Sequence, residues 1–477
     1  MKESRLTSKF IDLSLSLLGN PLLRALLISA SHTCDKCGRS KVEIAIEKLI
    51  DRDAKACVAC NYTSSIIAQL LKAIAVMLHI PEDSIKELLA IGTVRKALLS
   101  TIKGIALFGV KHPQPIGAPF LVVWDLTNMC NLRCKHCYRA ATPTPAPTEL
   151  STEGARMVIR QLADAGVPIL SFSGGEPLMR RDFFEICKCA LDHDFYISVA
   201  TNGTLITRGL AERMADAGVQ YVDISVDSSK PEYHDAFRGV DGSWKRAVRA
   251  IRYCKDAGMY VCMATTVTKI NHRELPSIVK LAEDLQVNRI VIFNYIPTGR
   301  ASEASELDLS PEERERVLEY LYAKLAQNLL ENKGIQAFAT APQYAVIATG
   351  FSATGLLPVA HTTALHGSAI RLARFIGGCG AGTLYCSITP EGYVQPCVFL
   401  PIKIGDLRRD RFEDIWIRSK VLNDLRHRER FTGPCGKCCY RDLCGGCRAR
   451  AYAYSHDYMG YDPGCCYGLI LENPREA

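Results

Sequence analysis

Cys130, Cys134 and Cys137 stand as C-N-L-R-C-K-H-C directly after an apolar run at residues 120–126. A C-x3-C-x2-C loop at the end of a buried strand constrains this chain more than any other feature. Three thiolates so close in sequence can ligate three irons of a cubane cluster and leave the fourth open to a small molecule. Most electron-transfer ferredoxin sites instead close the cluster with four cysteines. An open iron is a place for chemistry. Taken alone, the spacing also suits a zinc site, and a second motif is needed to decide.

Residues 169–177 supply it: I-L-S-F-S-G-G-E-P, a buried strand running into a Gly-Gly-Glu-Pro turn. Together with the three-cysteine loop, this turn resembles the radical S-adenosylmethionine (radical SAM) superfamily. The resemblance implies that Cys130, Cys134 and Cys137 hold a [4Fe–4S] cluster. It also implies that Gly174, Gly175, Glu176 and Pro177 take the amino group of S-adenosylmethionine. Gly174 and Gly175 have a physical reason to be glycine, because a backbone without Cβ lets main-chain groups approach a ligand closely.

Apolar β-like runs at 120–126, 169–173, 195–200, 221–226, 259–267 and 289–296 alternate with helical patterns. Six such repeats, apolar on both faces, predict a parallel sheet covered by helices. Six strands fall short of the eight of a closed barrel, so the expected fold is α/β, a partial (β/α)6 TIM-like barrel with its site at the carboxyl ends of the strands. By resemblance, Asn202 in A-T-N-G lies beside the ribose and methionine parts of the cofactor, and Ser225 faces the ribose hydroxyls. Asp227 points inward by strand alternation, or else caps a helix or pairs with Arg238. Tyr295 ends the sixth strand, where adenine lies against backbone in related enzymes. His136 takes the usually aromatic position of the cysteine loop and packs against adenine.

Twenty-one cysteines is the outlying count in this 477-residue chain. Pairs two residues apart at 34/37, 57/60, 435/438 and 444/447 favour metal sites over long-loop disulfides and point to a reducing cytoplasm. Cys379-x12-Gly392-x4-Cys397, Cys435-x2-Cys438-x5-Cys444-x2-Cys447 and Cys465 resemble the SPASM extension of radical SAM enzymes. The commonest form of that extension has three residues where C-G-G-C has two. The resemblance implies two auxiliary clusters, one on Cys379, Cys397 and Cys447 with Cys386 as fourth ligand, the other on Cys435, Cys438, Cys444 and Cys465. Residues 384–397 alternate around Pro390-Glu391-Gly392 and read as a hairpin presenting cysteines. The stretch R-D-L-C-G-G-C-R-A-R-A-Y-A-Y is similar to enzymes acting on propionate chains of haem and haem d1 precursors, and less so to peptide-modifying maturases. The whole resemblance covers about residues 120–466.

The amino-terminal block stands outside it. Cys34-x2-Cys37 and Cys57-x2-Cys60 form a four-thiolate constellation for one Zn or rubredoxin-like Fe. Four segments follow: a helical metal-binding domain at 1–112, the radical SAM partial barrel at 113–300, a helical linker or insert at 301–376, and the Cys-rich SPASM domain at 377–477. Residues 111–119, with three prolines, read as a linker. The apolar stretch at 11–30 is interrupted by Asp12, Pro21 and Arg24, which excludes a membrane span. Lys2, Arg5 and Lys9 ahead of it leave a signal peptide as the competing reading.

Lys+Arg exceed Asp+Glu by only 8 and form no dense block with interleaved aromatics, so nucleic acid is not implied. The resemblance implies a low-potential electron donor of ferredoxin or flavodoxin type and a small-molecule, tetrapyrrole-like or peptide substrate. Two other readings remain open. In one, the amino-terminal helices and residues 345–376 line an apolar route for a lipid substrate, with peripheral membrane contact. In the other, the chain is a multi-cluster electron-transfer protein.

Overall fold

The computed structural model describes residues 20–51, 54–77, 81–331, 334–350, 356–359, 362–365 and 369–466. Seven parallel strands lie side by side: β1 (Leu121–Asp125), β2 (Ile169–Ser173), β3 (Tyr196–Thr201), β4 (Val219–Ser225), β5 (Tyr260–Val267), β6 (Arg289–Asn294) and β7 (Gln336–Ala339). After a separate hairpin of β8 (Leu356–Val359) and β9 (Thr362–Leu365), β10 (Tyr385–Ile388) joins the free edge of β1, again parallel. β11 (Tyr393–Gln395) and β12 (Gly405–Asp406) extend that edge antiparallel. β7 and β12 are the two ends of the sheet, so this is an open, partial barrel. The six expected strands are present within two residues of their expected bounds. Their sheet is longer than expected, because β7 comes from the segment read as an insert and β10 to β12 from the cysteine-rich segment. One sheet thus runs through three of the four sequence segments.

Helices α6 (Thr152–Ala165), α7 (Phe183–Asp192), α8 (Arg208–Asp216), α10 (Ser243–Asp256) and α11 (Leu275–Asp284) cover the outer face of the sheet, and α9 (Pro231–Arg238) follows β4. The core is the layer between sheet and helices, where Val122, Trp124, Leu170, Phe172, Ile197, Val199, Val222 and Ile224 are fully buried against Val158, Ile159, Ile186 and Ile251. Each such side chain contributes about 1.5–3 kcal/mol by leaving water. α6 shows how the sequence sets the limits of a helix: Ser151 accepts from Gly154 N, and Gly166 closes the end at φ 85°.

The inner face corrects the reading of strands apolar on both sides. Asp125, Ser171, Ser173, Ser198, Asp223, Ser225 and Thr266 alternate with the core positions, so the barrel interior is polar and lined by short side chains towards the carboxyl ends. A lower plug of Tyr221, Cys262, Val291, Phe293 and Phe338 closes the other end.

Amino-terminal helices α1 (Pro21–Ser31), α2 (Lys41–Ile50), α3 (Val58–Met77), α4 (Glu82–Ala90) and α5 (Gly92–Phe108) pack around Ala30, Val42, Ala45, Ile46, Leu49, Ala68 and Leu89. Residues 78–80, and residues 11–19 of the apolar stretch, lie outside the described residues. α5 carries this block against the barrel. Ser100 Oγ donates to Ala118 O (2.6 Å) just before β1, and Lys96 Nζ to Asp194 O (2.8 Å) just before β3. Both contacts are at the amino ends of strands. The expected linker is no free tether: residues 113–119 are buried, Gln114 N donates to Phe375 O (2.7 Å), and Trp416 Nε1 to Ile116 O (2.8 Å). Among the described residues, no helix is long and apolar enough to cross a membrane.

Candidate active site

The cysteine loop follows β1 at the carboxyl end of the sheet and is held on three sides. Arg133 N donates to Arg238 O (3.0 Å) and Lys135 N to Phe237 O (3.0 Å), fastening the loop to the end of α9. After β6, Arg300 N donates to Cys137 O (2.9 Å), and the Arg300 guanidinium to Cys134 O (2.9 Å) and Ala141 O (2.5 Å). From β2 the turn at 174–177 lies directly on the loop, with Gly175 N to Thr127 O and Glu176 N to Met129 O, both 2.7 Å. A Cβ on Gly175 would stand 2.3 Å from Met129 O, and one on Gly174 2.5 Å from Thr127 O. The first demand on these glycines is therefore the close approach of two main chains. Approach to a ligand, the reason read from the sequence, comes second.

The three thiols share one hydrogen-bonding environment. Leu132 N donates to Cys130 Sγ (3.4 Å) and Ala141 N to Cys137 Sγ (3.4 Å), while Asn202 Nδ2 lies 3.9 Å from Cys130 Sγ and Arg238 Nη1 3.9 Å from Cys134 Sγ. Three thiols, two main-chain donors, one amide and one guanidinium form a donor set that fits an anionic cluster. Their sulfurs do not gather closely enough to share one ion; among the described residues only Cys34, Cys37, Cys57 and Cys60 do.

Around the loop, several expected contacts prove to be chain-to-chain. Glu176 is fully buried: Oε1 accepts from Thr201 Oγ1 (2.7 Å) and Leu178 N (3.2 Å), and Oε2 from Asn202 N (2.8 Å). Burial raises its carboxyl to about 7. Its side chain thus ties the β2 turn to the end of β3. Asn202 in turn donates to Asn131 Oδ1 (2.9 Å). Asp227 takes the ion-pair reading: Arg238 Nε is 2.7 Å from Oδ2, and Thr266 N donates to Oδ1 (2.9 Å). Burial works to raise that carboxyl, but Arg238 overrides it and holds the group near 2. The pair fixes Arg238 beside Cys134.

His136 stacks on Phe237 (4.2 Å, 12°), so one ring face is already covered. Burial lowers its pKa to about 3 and keeps the ring neutral. Ser225 is half-buried on the inner face, and its hydroxyl makes no hydrogen bond to the described residues. Tyr295 is buried, and its hydroxyl lies 2.7 Å from Ala301 O and 2.8 Å from Ala304 O. Those bonds brace the segment after β6 and leave only its backbone toward the mouth.

Sequence reasoning missed Tyr138, whose hydroxyl donates to Asp125 Oδ1 (2.7 Å), lies 3.2 Å from Ser173 Oγ, and whose ring meets Phe399 edge-on at 5.1 Å. It links β1, β2 and the carboxyl-terminal segment beneath the cysteine loop. Burial raises Asp125 to about 6 against the pull of Arg139. Adjacency to Cys137 was the only available sequence signal for Tyr138.

In the carboxyl-terminal segment, Cys379, Cys397 and Cys447 pack in one small core with Tyr385. Cys386 does not belong there. It lies on β10 opposite Val122 and turns into the sheet–helix layer, with no exposed surface. Strand alternation sends it to the face opposite its neighbour Tyr385, whose hydroxyl donates to Cys397 Sγ (2.6 Å). Cys435 and Cys444 lie near each other and near Cys465, with Cys438 near Cys435. The expected hairpin is formed, with Ser387 opposite Gln395.

Asp462 joins the two cysteine groups: its carboxylate accepts from Cys447 N (2.6 Å) and Gln343 Nε2 (2.7 Å), and its own N–H points at Cys435 Sγ (3.5 Å). It lies 3.6 Å from fully buried Arg450, while Arg448 Nη2 donates to Cys435 Sγ (3.5 Å). Replacing Asp462 by alanine leaves Arg450 with Asp308 (3.7 Å) as counter-charge and strips the acceptor from Cys447 N and Gln343 Nε2. A buried donor left without its acceptor costs about 1–3 kcal/mol, so the expected result is a lower melting temperature with iron lost from the carboxyl-terminal sites first.

Residues 124–282 match the model of the Radical SAM superfamily, and residues 379–439 match that of an iron–sulfur cluster-binding domain, SPASM. The chain is 37% identical over 350 residues to the AdoMet-dependent heme synthase of Methanosarcina barkeri, covering 73% of this chain and 97% of that one. It is 31% identical over 365 residues to the pre-heme d1 synthase of Dinoroseobacter shibae, covering 74% and 89%. In fold it is similar to Streptococcus suis SuiB bound to S-adenosylmethionine, at a TM-score of 0.63 and 16% identity over 90% of this chain and 93% of that one.

Proposed function

The chain belongs to the radical SAM superfamily and is an iron–sulfur enzyme with a SPASM extension, and on that premise we propose that it oxidatively decarboxylates a propionate side chain of an iron tetrapyrrole. The observation that carries this reading is the likeness to a heme synthase along nearly that protein's whole length, together with a three-cysteine loop at the mouth of a polar, open-ended barrel. A [4Fe–4S] cluster and S-adenosylmethionine, when bound, supply a 5′-deoxyadenosyl radical that takes one hydrogen atom from substrate.

In this reading Cys130, Cys134 and Cys137 hold the cluster, and Arg238 and Asn202 offset its charge. The main chain of residues 174–177 receives the methionine amino group. Glu176 and Asp227 position neighbouring groups and do not touch the cofactor. Ser225 turns its unpaired hydroxyl to the ribose, and the short side chains of Ser173, Ala200 and Ala264 leave room for cofactor and substrate. The free face of His136 and the backbone after β6 flank adenine.

Removal of a hydrogen atom from the propionate carbon next to the ring leaves a carbon radical. Breakage of the bond to the carboxylate then gives a vinyl group and carbon dioxide and releases one electron. Two cysteine sets, Cys379/Cys397/Cys447 and Cys435/Cys438/Cys444/Cys465, would hold auxiliary clusters, which would supply an acceptor for that electron. A ferredoxin- or flavodoxin-like donor in a reducing cytoplasm starts each turnover.

The lipid reading loses its amino-terminal half, since α5 docks where the strands begin and the mouth is where they end. Most of residues 351–376 lies outside the description of side chains. The test is anaerobic incubation of reduced enzyme with S-adenosylmethionine and iron coproporphyrin, read by mass spectrometry. Loss of carbon dioxide and two hydrogens from the porphyrin is expected. 5′-Deoxyadenosine with no change in any propionate-bearing porphyrin would overturn the substrate assignment, and absence of S-adenosylmethionine binding would favour an electron-transfer protein.

A further inference from the structure

Four thiols outside the barrel have no part in this chemistry. Cys34, Cys37, Cys57 and Cys60 offer sulfurs that all lie within 4.8 Å of one another, with Cys34 and Cys57 3.9 Å apart. Thiolates on a tetrahedral ion with metal–sulfur bonds of about 2.3 Å stand about 3.8 Å apart. That spacing matches one ion.

The two halves of the group are built differently. Cys34 to Gly38 make a tight turn in which Cys37 N and Gly38 N both donate to Cys34 O (3.1 and 2.8 Å), with Gly38 at φ 65°. Cys57 immediately precedes α3 and Cys60 lies in its first turn, and the N–H groups at that helix start favour a thiolate at Cys57. Cys57 N also donates to Cys37 Sγ (3.3 Å). Cys60 is buried and the others half-buried, so four sulfurs close the sphere and leave no position for substrate.

We propose that this is a structural zinc centre, placed at the blind end of the barrel and isolated from the radical site. Three observations carry the assignment. The apolar core it supports is small, with three alanines among its buried residues, and a bound ion would add its binding free energy to the stability of so small a core. Polar contacts join the same elements beside that core: Lys48 Nζ to Asn61 O (3.0 Å) and Ser65 Oγ (2.8 Å), and Arg39 Nη2 to Lys55 O (2.7 Å). The block meets the barrel at the amino ends of β1 and β3, whereas the three-cysteine loop lies at the carboxyl ends, and in such barrels the amino-terminal face serves stability. An S4 site binds Zn(II) more tightly than Fe(II), and a redox-inert ion suits a position away from the three-cysteine loop.

The test uses the full chain purified anaerobically. Elemental analysis should find zinc in the wild type in addition to cluster iron. Cys57→His should retain it, because three thiolates and an imidazole still make a closed zinc site. Cys34→Ser with Cys37→Ser should lose the zinc and lower the melting temperature, while reductive cleavage of S-adenosylmethionine by the folded fraction is unchanged. If that double variant does not fold, the wild-type metal content and cobalt-exchanged spectrum decide, since tetrahedral Co(II)–thiolate bands are expected. A rubredoxin-type iron signal, no metal at the site, or cleavage lost at an unchanged melting temperature would each overturn the proposal.

Discussion

Alanine at any one of Cys130, Cys134 and Cys137 abolishes formation of 5′-deoxyadenosine, with iron falling by about four per chain, the content of one cubane. The structure makes each thiol individually necessary. Each sulfur is served by its own donor: Leu132 N and Asn202 for Cys130, Arg238 for Cys134, Ala141 N for Cys137. No spare thiol in the mouth can substitute. The remaining buried cysteines of the barrel, Cys187 and Cys254, sit on α7 and α10 in the apolar layer, and Cys262 lies in the lower plug. The fold itself should survive, because the loop is held mainly by main-chain bonds to residues 237–238, 300 and the 174–177 turn. The measurement is anaerobic quantification of 5′-deoxyadenosine beside iron content and circular dichroism. Cleavage retained by any of the three variants would remove the loop from the chemistry.

Loss of Cys397 or Cys435 should have the opposite signature: 5′-deoxyadenosine still forms while product disappears. Both residues lie in the carboxyl-terminal cysteine groups, yet β10 of that segment pairs in register with β1, Leu121 opposite Tyr385 through Trp124 opposite Ile388. The carboxyl-terminal cysteine groups are thereby built onto the strand that ends in the cysteine loop, with Phe399 against Tyr138 as a side-chain link. In the proposed reaction these groups would take the electron released on substrate. Mössbauer spectra of wild type should give about twelve cluster irons, from three cubanes. A count near four, with zinc in the carboxyl-terminal sites, would falsify the acceptor role.

Local pattern was enough to read the active loop, the turn, the six central strands and the partition of the carboxyl-terminal cysteines into two groups. These are features in which spacing and period carry the information: thiols three and two residues apart must share a turn, and buried parallel strands are short apolar runs between helices. The four-thiolate amino-terminal group was legible for the same reason.

What sequence could not supply is the identity of each side chain's partner across the sheet. β7 is four residues long and too short to announce itself, β10 was legible only as one arm of a hairpin, and the place of both beside β6 and β1 depends on long-range pairing. Alternation on β10 turns Cys386 into the sheet–helix layer and its neighbour Tyr385 toward Cys397, a one-residue matter of register that counting cysteines cannot see. Glu176, Asp227 and Tyr295 were legible as members of the site, but tertiary packing decided that they bond to the chain and hold others in place. The same holds for the amino-terminal helices. Their amphipathic pattern states only that they bury one face, whereas docking of α5 at the start of β1 and β3 put them at the blind end, away from the mouth. A sequence fixes which groups are near along the chain; burial and hydrogen bonding between distant segments decide which way each group turns.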